Sequence, residues 1–425
     1  MKFGILLPVT ATFLSLTFSC NNNDEPNYDE ADVPQYALPE LLVAESGDTV
    51  THHRNWKQVR RPEILALFST EMYGQFPDRD YTISFTEKVL TDHYLDSTAI
   101  VKEVKGKVFT AKGEDQFIIL YIYPRNREHI PVFAGLNFSG NHTIDTLSSI
   151  AIHNRWVRNS EKANISDNHA SPDSRGASAS RWPLSTIINR GYGLATAYYG
   201  EFDPDYDDGF NNGFHPLFAQ PKNGSKAYCP GAISMWAKGM SFIVDFLTKD
   251  TIADPSRIIA IGHSRLGKTA LWAGANDTRF SAVISNNSGC GGAALSRRRF
   301  GEKVSRINTV FPHWFCERFN RYNDKENKLP MDQHMLLALM APRPLYVASA
   351  TKDQWADPHG EFLALKAASP VYEIFGYKQD FPVVLPGPDK PYQGITGYHL
   401  RSGVHDLTEF DWVMYMNWCD KWLPR

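Results

Sequence analysis

The sequence predicts an α/β fold with a mostly parallel central sheet, antiparallel strands at its N-terminal side and helices on both faces. Short apolar runs alternate with helical or looping segments from residue 117 onward, which is typical of a parallel sheet covered by helices. Two earlier runs instead show the apolar-polar alternation of antiparallel strands. Within the parallel part, a short strand turns sharply into a helix at a serine.

The first twenty residues have the pattern of an export signal. A lysine precedes an apolar run, and the small residue Ser19 precedes Cys20, which predicts a cleaved signal peptide over residues 1–19. Since Ser19-Cys20 resembles the end of a lipobox, we expect Cys20 to carry the lipid of an outer-membrane lipoprotein facing the periplasm or the cell surface. Residues 21–31 are polar and acidic, so we predict a flexible tether over residues 20–38.

Composition restricts what the remaining residues, 39–425, can do. They are long enough for one decorated α/β domain, and we expect a monomer. The full chain of 425 residues has 44 basic and 47 acidic residues and a net charge of -3, which gives no electrostatic argument for binding nucleic acid. No later stretch is long and apolar enough to span a bilayer. Four cysteines lack C-x-x-C spacing, so no metal site is expected and the sequence does not pair them: Cys229, Cys290, Cys316 and Cys419.

Periodicity predicts most of the elements. A helix near residues 61–73 is followed by antiparallel strands at 81–91 and 99–109. One later helix is clear, because apolar residues recur at helical spacing over residues 232–247 and Asp254-Pro255 follows its end. The parallel strands are predicted at residues 117–123, 132–138, 193–199, 258–261, 282–285 and 345–349.

Ser264 lies at the strand-to-helix turn, between the strand at residues 258–261 and a helix-compatible run at 266–272. Such a turn lifts the hydroxyl clear of the sheet and directs the amides of the helix start toward any negative charge that forms nearby. The pattern around it is G-x-S-x-x-G, one residue longer than the usual G-x-S-x-G. The alternative is a chance junction, since a short motif alone is only a hypothesis.

A serine nucleophile needs a base and a third group that orients the base. On this kind of sheet the chain order is serine, acid, histidine. Asp353 directly follows the strand at residues 345–350, where an orienting carboxylate is expected. Asp357 is a rival, although Pro358 and its turn favour a structural role.

The base is expected between the last strand, predicted at residues 395–401, and the final helix, predicted at 411–423. His405 lies in that loop. His399 is the alternative, but it lies within the predicted strand, where a core or rim histidine is the commoner interpretation. The other histidines lack metal-ligand spacing such as H-E-x-x-H.

Six segments form a more specific pattern than the serine turn alone. They are GHSRLGK at 262–268, NFSGNHT at 137–143, NNSGCGGAAL at 286–295, RRRFGE at 297–302, DQWADPHGEF at 353–362 and YHLRSGVHDLTEFDW at 398–412. Together they resemble bacterial glucuronoyl esterases, carbohydrate esterase family 15, from about Arg61 to the C-terminus. The resemblance implies an α/β-hydrolase fold. It also implies cleavage, without metal or organic cofactor, of the ester between 4-O-methyl-glucuronic acid of glucuronoxylan and lignin alcohols.

The resemblance also implies roles for residues of the serine turn. Ser264 matches the nucleophile and His405 the base. Arg265 is similar to the family arginine that supplements backbone amides in the oxyanion hole, a task that suits a permanently charged guanidinium. The alternative for Arg265 is an ion pair with a carboxylate such as Asp353.

Three more residues match family positions that hold the hydroxyls of the uronate ring: Lys268, Glu302 and Trp355. An ammonium, a carboxylate and an indole N–H can divide several sugar hydroxyls between them. The alternatives are a solvated helix lysine, a surface carboxylate paired with an arginine, and a packed loop aromatic. Only the resemblance singles these residues out.

One position departs from the family pattern. Several members carry a glutamate just before the Ser-Gly that follows the sixth strand, and this chain has Asn287 there. An amide can hold an imidazole in place but cannot offset its positive charge. The acid is therefore predicted at Asp353, an arrangement that other family members resemble.

Two rival functions remain open from the sequence. Another carbohydrate ester hydrolase, such as an acetyl xylan esterase, would use the same triad but has less use for Lys268, Glu302 and Trp355. A surface glycan-binding lipoprotein on a retired hydrolase fold is the other rival, because fold alone does not fix function.

Overall fold

The computed structural model describes Met1 and residues 25–77, 80–218, 226–378 and 380–423. Its centre is a nine-stranded sheet with the strand order β1-β2-β3-β5-β4-β6-β7-β8-β9. The strands are β1 (Thr82–His93), β2 (Ala99–Thr110), β3 (Gly113–Pro124), β4 (Ile130–Asn137), β5 (Gly193–Tyr198), β6 (Ala253–His263), β7 (Ala282–Asn286), β8 (Leu345–Ala350) and β9 (Thr396–Arg401).

Strand directions confirm the predicted fold class. Strands β1, β2, β3 and β5 pair antiparallel in that order, and β5, β4, β6, β7, β8 and β9 pair parallel. Every predicted strand is present. Strand β6 is longer than predicted, because it begins at Ala253 and takes in Asp254-Pro255.

Helices cover both faces of this sheet. The α-helices of six or more described residues are α1 (Arg61–Glu71), α2 (Leu184–Asn189), α3 (Ala232–Leu247), α4 (Arg265–Asn276), α5 (Val304–Val310), α6 (Gln333–Ala338), α7 (Pro358–Ala368) and α8 (Glu409–Trp422). The predicted helices at residues 61–73, 232–247, 266–272 and 411–423 correspond to α1, α3, α4 and α8.

Two apolar clusters lie on opposite faces of the sheet. Along β6, Ile258 and Ala260 belong to the larger cluster and Ile259 and Ile261 to the smaller, as the alternation of side chains along a strand requires. The larger cluster includes residues of α1, α3, α4, α5, α6 and α7. The smaller one includes residues of α2 and α8.

The parallel strands end at one edge of the sheet, and the loops that follow them carry the predicted site. Ser264 follows β6, Asp353 follows β8 and His405 follows β9. Asn287 comes directly after β7. This is the edge where open parallel sheets bind ligands.

The N-terminal segment contacts the rest of the fold where the structure describes it. The predicted signal peptide, Cys20 and residues 21–24 lie outside the described residues, apart from Met1. Within the tether predicted over residues 20–38, Glu30 forms an ion pair with Arg298, while Tyr36 and Leu38 pack against the larger core cluster. The flexibility of this tether stays a prediction.

Several kinds of feature are absent from the described ranges. No helix there is long and apolar enough to cross a membrane. No group of three or more His, Cys, Asp or Glu side chains in these ranges could hold a metal ion. The four cysteines after the N-terminal segment form no disulfide, and Cys290, Cys316 and Cys419 are buried.

The close approach of β4 to β6 can be tested at Gly135. A Cβ on Gly135 would lie 2.5 Å from the carbonyl oxygen of Ile261, so Gly135→Ala is expected to lower the free energy of unfolding. The expected loss is roughly 1–3 kcal/mol. Gly193→Ala in β5 is the control, because its nearest atom is the end of the Ile130 side chain, at 3.1 Å. Urea unfolding compares the two variants, and equal losses would contradict this packing.

Candidate active site

The backbone at Ser264 has a strained conformation. With φ 57° and ψ -127°, Ser264 lies in a region that residues other than glycine seldom adopt. The Ser264 amide donates to the carbonyl oxygen of Asn286 at 2.8 Å, and the Gly267 amide donates to the Ser264 carbonyl oxygen at 2.9 Å. These bonds hold the half-buried serine at the start of α4, at the carboxyl edge of the sheet.

The glycine spacing around the serine has a steric cause. A Cβ on Gly262 would lie 1.9 Å from the carbonyl oxygen of Leu266, so this position cannot carry a side chain without moving the helix. A Cβ on Gly267 would lie 3.0 Å from Cβ of Ser288 in the loop after β7. Leu266 itself is buried in the core. The second small residue is therefore at Gly267, which explains the longer G-x-S-x-x-G pattern.

The structure brings the predicted histidine and acid together beside the serine turn. Nδ1 of His405 lies 2.6 Å from Oδ2 of Asp353. Asp353 is buried, whereas the His405 side chain is 40% exposed and so accessible to a substrate. The His405 ring centroid lies 4.5 Å from that of His263, the residue before Ser264. With Nδ1 facing the carboxylate, Nε2 is the nitrogen left for proton transfer.

The two rival residues have structural partners instead. His399 is fully buried, with Nε2 2.8 Å from Asp411 Oδ1 and Nδ1 3.0 Å from the Tyr346 hydroxyl. Asp357 caps α7 and accepts a hydrogen bond from Nε of Arg298 at 2.8 Å. The geometry therefore favours Asp353 and His405 over Asp357 and His399.

Asn287, the departure from the family pattern, contacts the predicted acid. Its Nδ2 donates to Oδ2 of Asp353 at 2.8 Å, the same oxygen that faces His405. Its backbone is also left-handed, with φ 47°. The amide thus orients the carboxylate from the position where, by the family resemblance, several members carry a glutamate. Two carboxylates this close would repel each other.

Arg265 does not pair with Asp353, the alternative considered from the sequence. Its Nη1 donates to Asp205, and its guanidinium carbon lies 4.9 Å from the centroid of the Trp314 ring. Phe138 lies on the guanidinium as well, at 5.7 Å. Its Nε is buried and has no hydrogen-bond partner among the described residues. The guanidinium is therefore held in place by Asp205 and the aromatic rings, while 21% of the side chain stays exposed.

Asp205, which the sequence analysis missed, accepts hydrogen bonds from residues in distant parts of the chain. It is fully buried and accepts from Tyr199 Oη at 2.9 Å, Trp314 Nε1 at 2.7 Å and His313 Nε2 at 3.0 Å, besides Arg265. Burial alone would raise the pKa of Asp205, but Arg265 and the other donors hold that pKa well below its usual range. The only sequence signal was an acidic residue beyond the end of a parallel strand.

Lys268, Glu302 and Trp355 also come together. Lys268 is one helical turn after Ser264, only 4% exposed, and its Nζ donates to the Ser288 carbonyl oxygen at 2.5 Å. The Glu302 amide donates to the Trp355 carbonyl oxygen at 3.0 Å, and the indole hydrogen-bonds the Glu302 carboxylate. Trp355 is 39% exposed. The alternatives of a solvated lysine and a packed aromatic do not fit these positions.

Lys268 and Glu302 influence each other through charge. Burial lowers the pKa of Lys268, and the negative charge of Glu302 opposes that shift. Burial likewise raises the pKa of Glu302 against the opposing charges of Lys268 and Arg265. A cation and a carboxylate are thereby held in a poorly hydrated site, where hydrogen bonds to a ligand are strong.

Glu361 is a second residue that the sequence analysis missed. Its buried carboxyl group accepts from the amides of Ser288 and Gly289 at 2.8 and 2.9 Å and from the Ser349 hydroxyl at 2.6 Å. Burial raises its pKa to about 8. These bonds fix the loop after β7, which carries both Asn287 and the carbonyl group that binds Lys268.

Two hollows open beside these residues. One, of about 370 Å³, is lined in part by Arg265, Phe138 and Tyr199. The other, of about 430 Å³, is lined in part by Trp355 and Gly301. Arg265 directly follows Ser264 and lines the first hollow. Lys268, one helical turn after Ser264, belongs to the cluster that borders the second hollow.

Comparison with known sequences identifies the family. A family model described as glucuronyl esterase of fungi matches residues 211–376. Carbohydrate esterase MZ0003, from an unknown prokaryotic organism, is 47% identical over 93% of this chain and 91% of its own. A 4-O-methyl-glucuronoyl methylesterase from Schizophyllum commune is 34% identical over 89% of this chain and 84% of its own.

Solved structures agree with this result. A CE15 esterase from a marine bacterial metagenome, described as promiscuous, has 47% identity and a TM-score of 0.88, covering 94% of this chain and 100% of its own. The glucuronoyl esterase from Solibacter usitatus has 43% identity and a TM-score of 0.84, covering 92% and 99%. The sequence-based resemblance and the α/β-hydrolase fold are confirmed. This chain belongs to the glucuronoyl esterases of carbohydrate esterase family 15, which are serine carboxylic ester hydrolases.

Proposed function

We propose that this enzyme cleaves the ester between 4-O-methyl-glucuronic acid of glucuronoxylan and an alcohol of lignin. The observation that carries the proposal is the cluster of Lys268, Glu302 and Trp355 next to Ser264. Its ammonium and its carboxylate, which the indole of Trp355 holds by a hydrogen bond, can together bind several hydroxyls of one sugar ring. The names of the relatives, which act on 4-O-methyl-glucuronoyl esters, support the same substrate class.

In the first half of the reaction, Oγ of Ser264 attacks the ester carbonyl carbon while Nε2 of His405 takes its proton. Asp353, at 2.6 Å from Nδ1, stabilises the imidazolium that forms. When the tetrahedral intermediate collapses, the alcohol leaves with the proton from His405. Water then repeats these steps on the acyl-enzyme and releases the uronic acid and the free serine.

The oxyanion of each tetrahedral intermediate is stabilised by Arg265. Its side chain is 21% exposed, and its amide is that of the residue after the nucleophile. Because Asp205 and the aromatic rings fix the guanidinium beforehand, little reorganisation is needed when negative charge develops. No metal or organic cofactor enters this sequence of steps.

An acetyl xylan esterase is the second candidate. The specific observation in its favour is that a relative with 47% identity is described as promiscuous. Acetyl esters would use the same serine, histidine and arginine but would leave Lys268, Glu302 and Trp355 without ligands. A retired glycan-binding protein is less favoured, because the groups needed for acyl transfer are all present.

We also propose where the enzyme acts. Residues 1–19 are interpreted as a signal peptide and Cys20 as a lipidated residue, which would hold the catalytic domain of residues 39–425 at the outer membrane, facing the periplasm or the medium. The lysine, the apolar run and the Ser19-Cys20 pair support this interpretation. The only membrane contact proposed is this lipid, and the domain is proposed to act as a monomer.

The substrate is tested by comparing the benzyl ester of glucuronic acid with an aryl acetate. We expect kcat/KM to be roughly 10²-fold or more higher for the uronate ester, because a site built to hydrogen-bond hydroxyls discriminates strongly against ligands without them. Lys268→Met should remove most of that preference while keeping turnover of the acetate. Ser264→Ala should abolish both. A preference for the acetate would establish the second candidate, and no turnover of either would favour binding.

The position of the acid is tested by moving it. Asp353→Asn should lower kcat by about 10³ to 10⁴-fold, because the imidazolium loses its counter-charge. Asn287→Glu in the Asp353→Asn background should restore part of this loss, since residue 287 contacts the carboxylate position beside His405. Asn287→Glu alone is the control, in which two neighbouring carboxylates compete. A double variant as inactive as Asp353→Asn would contradict this geometry.

The role of Asp205 is tested by its coupling to Arg265. Arg265→Gln should lower kcat by about 10² to 10³-fold with little change in KM, as loss of an oxyanion donor does. Asp205→Asn should also lower kcat, but it should add nothing in the Arg265→Gln background, because it acts through the guanidinium. Asp203→Asn is the matched control, since this buried aspartate pairs with His215 at 2.6 Å. Additive losses for Asp205 and Arg265 would refute the coupling.

A further inference from the structure

The N-terminal segment of residues 25–30 lies against the loop that carries Glu302. The amide of Gly301 donates to the carbonyl oxygen of Asn27 at 2.8 Å. The ring of Tyr28 meets that of Phe300 edge-on, with centroids 6.2 Å apart. This segment therefore contacts the two residues directly before Glu302.

Glu30 connects that loop to the one that carries Trp355. Its Oε1 lies 2.6 Å from Nη2 of Arg298 and 3.0 Å from Nδ1 of His359. Arg298 is buried and also binds Asp357 at 2.8 Å. Arg298 lies shortly before Glu302 in the first loop, and His359 lies shortly after Trp355 in the second. The Glu30 carboxylate therefore links both loops.

The two loops are in direct contact at Gly301. Its φ is +61°, and a Cβ there would lie 2.4 Å from the carbonyl oxygen of Trp355 and 2.5 Å from that of Gln354. Together with the hydrogen bond from the Glu302 amide to Trp355, this contact means that one loop cannot move without the other. The N-terminal segment thus clamps a rigid pair of loops.

The same segment forms a wall of the hollow of about 430 Å³ described above. Glu25 and Pro26 lie on one side, and residues of α5, among them Arg306 and Thr309, lie on another. Trp355, 39% exposed, forms part of the lining. The hollow therefore borders the proposed uronate site at Trp355 and at Gly301, the residue before Glu302.

The lining can bind a sugar ring, and it also contains the charged residues Glu25 and Lys303. An exposed indole offers a flat apolar face to the C–H groups of a pyranose ring, while a guanidinium and a threonine hydroxyl can bind its hydroxyl groups. In glucuronoxylan the chain of xylose units is attached at the anomeric carbon of the uronate, not at its carboxyl group. The chain and the alcohol therefore leave the site from different sides of the ring.

We infer that residues 25–30 clamp the loops of Glu302 and Trp355 and, with Arg306 and Thr309, form a subsite for the xylose units attached to the uronate. This inference rests on the proposed function and adds the polysaccharide side of the substrate to it. The alcohol is assigned to the side of Arg265, where the ester carbonyl must lie to receive its N–H.

The test compares the methyl ester of glucuronic acid with that of an aldouronic acid that carries the uronate on xylotriose. Arg306→Ala should raise KM for the oligosaccharide about fivefold more than KM for the monosaccharide, the loss of about one hydrogen bond. Removal of residues 25–29 should change the same ratio in the same direction. Glu30→Gln should raise KM for both esters with kcat unchanged, and Glu30→Asp should restore part of the loss.

Asp32→Asn is the matched control, because this exposed acidic residue lies in the same helical turn as Glu30. It should leave both KM values unchanged. An unaltered KM ratio in the Arg306 and deletion variants, with the monosaccharide ester still hydrolysed, would refute the subsite alone. Failure of the unsubstituted enzyme to hydrolyse either ester would instead refute the proposed function. A changed KM for esters of bulky aryl alcohols, and not for the oligosaccharide, would assign the hollow to the alcohol.

Discussion

The left-handed backbone of Ser264 is the constraint on which the rest of the site depends. A non-glycine residue in such a region costs about 1–3 kcal/mol, so the surrounding structure must over-determine it. Here the carbonyl of Asn286, the missing side chain at Gly262 and the start of α4 do so together. The proposed nucleophile is therefore held where β6 pairs with β7, next to the loop that carries Asn287 and Ser288.

Two buried acidic side chains, Asp205 and Glu361, hold further parts of the site in place. Asp205 draws together Arg265 and the loop of His313 and Trp314, and Glu361 draws together the ends of β7 and β8. Removing one partner from such a group leaves a buried charge or donor unsatisfied, which is far costlier than losing a surface contact. The residues proposed for the oxyanion and those proposed for the uronate are thus each held in place by a buried acid.

The sequence predicted what depends on strand order and missed what depends on distant contacts. Asp353 and His405 could be placed because the ends of parallel strands meet at one edge, and the structure brings the two residues together. The partner of Arg265 could not be predicted, because Asp205 is 60 residues away in the chain and nothing in the local pattern selects it over Asp353. The ion pair of Glu30 with Arg298 was missed for the same reason, because the two residues are 268 apart in the chain.

Two cations, Arg265 and Lys268, follow Ser264 on α4. Their charges are balanced in different ways, which suits them to different tasks. Arg265 is bound to an ionised Asp205, which fixes its position, and its partly exposed side chain suits the proposed oxyanion, a charge that exists only transiently. Lys268 donates instead to a neutral carbonyl group, and Glu302 opposes its charge from within the same cluster. Its ammonium and the Glu302 carboxylate can therefore both bind sugar hydroxyls in the ground state. Binding and transition-state stabilisation are in this way assigned to separate charges on the same helix.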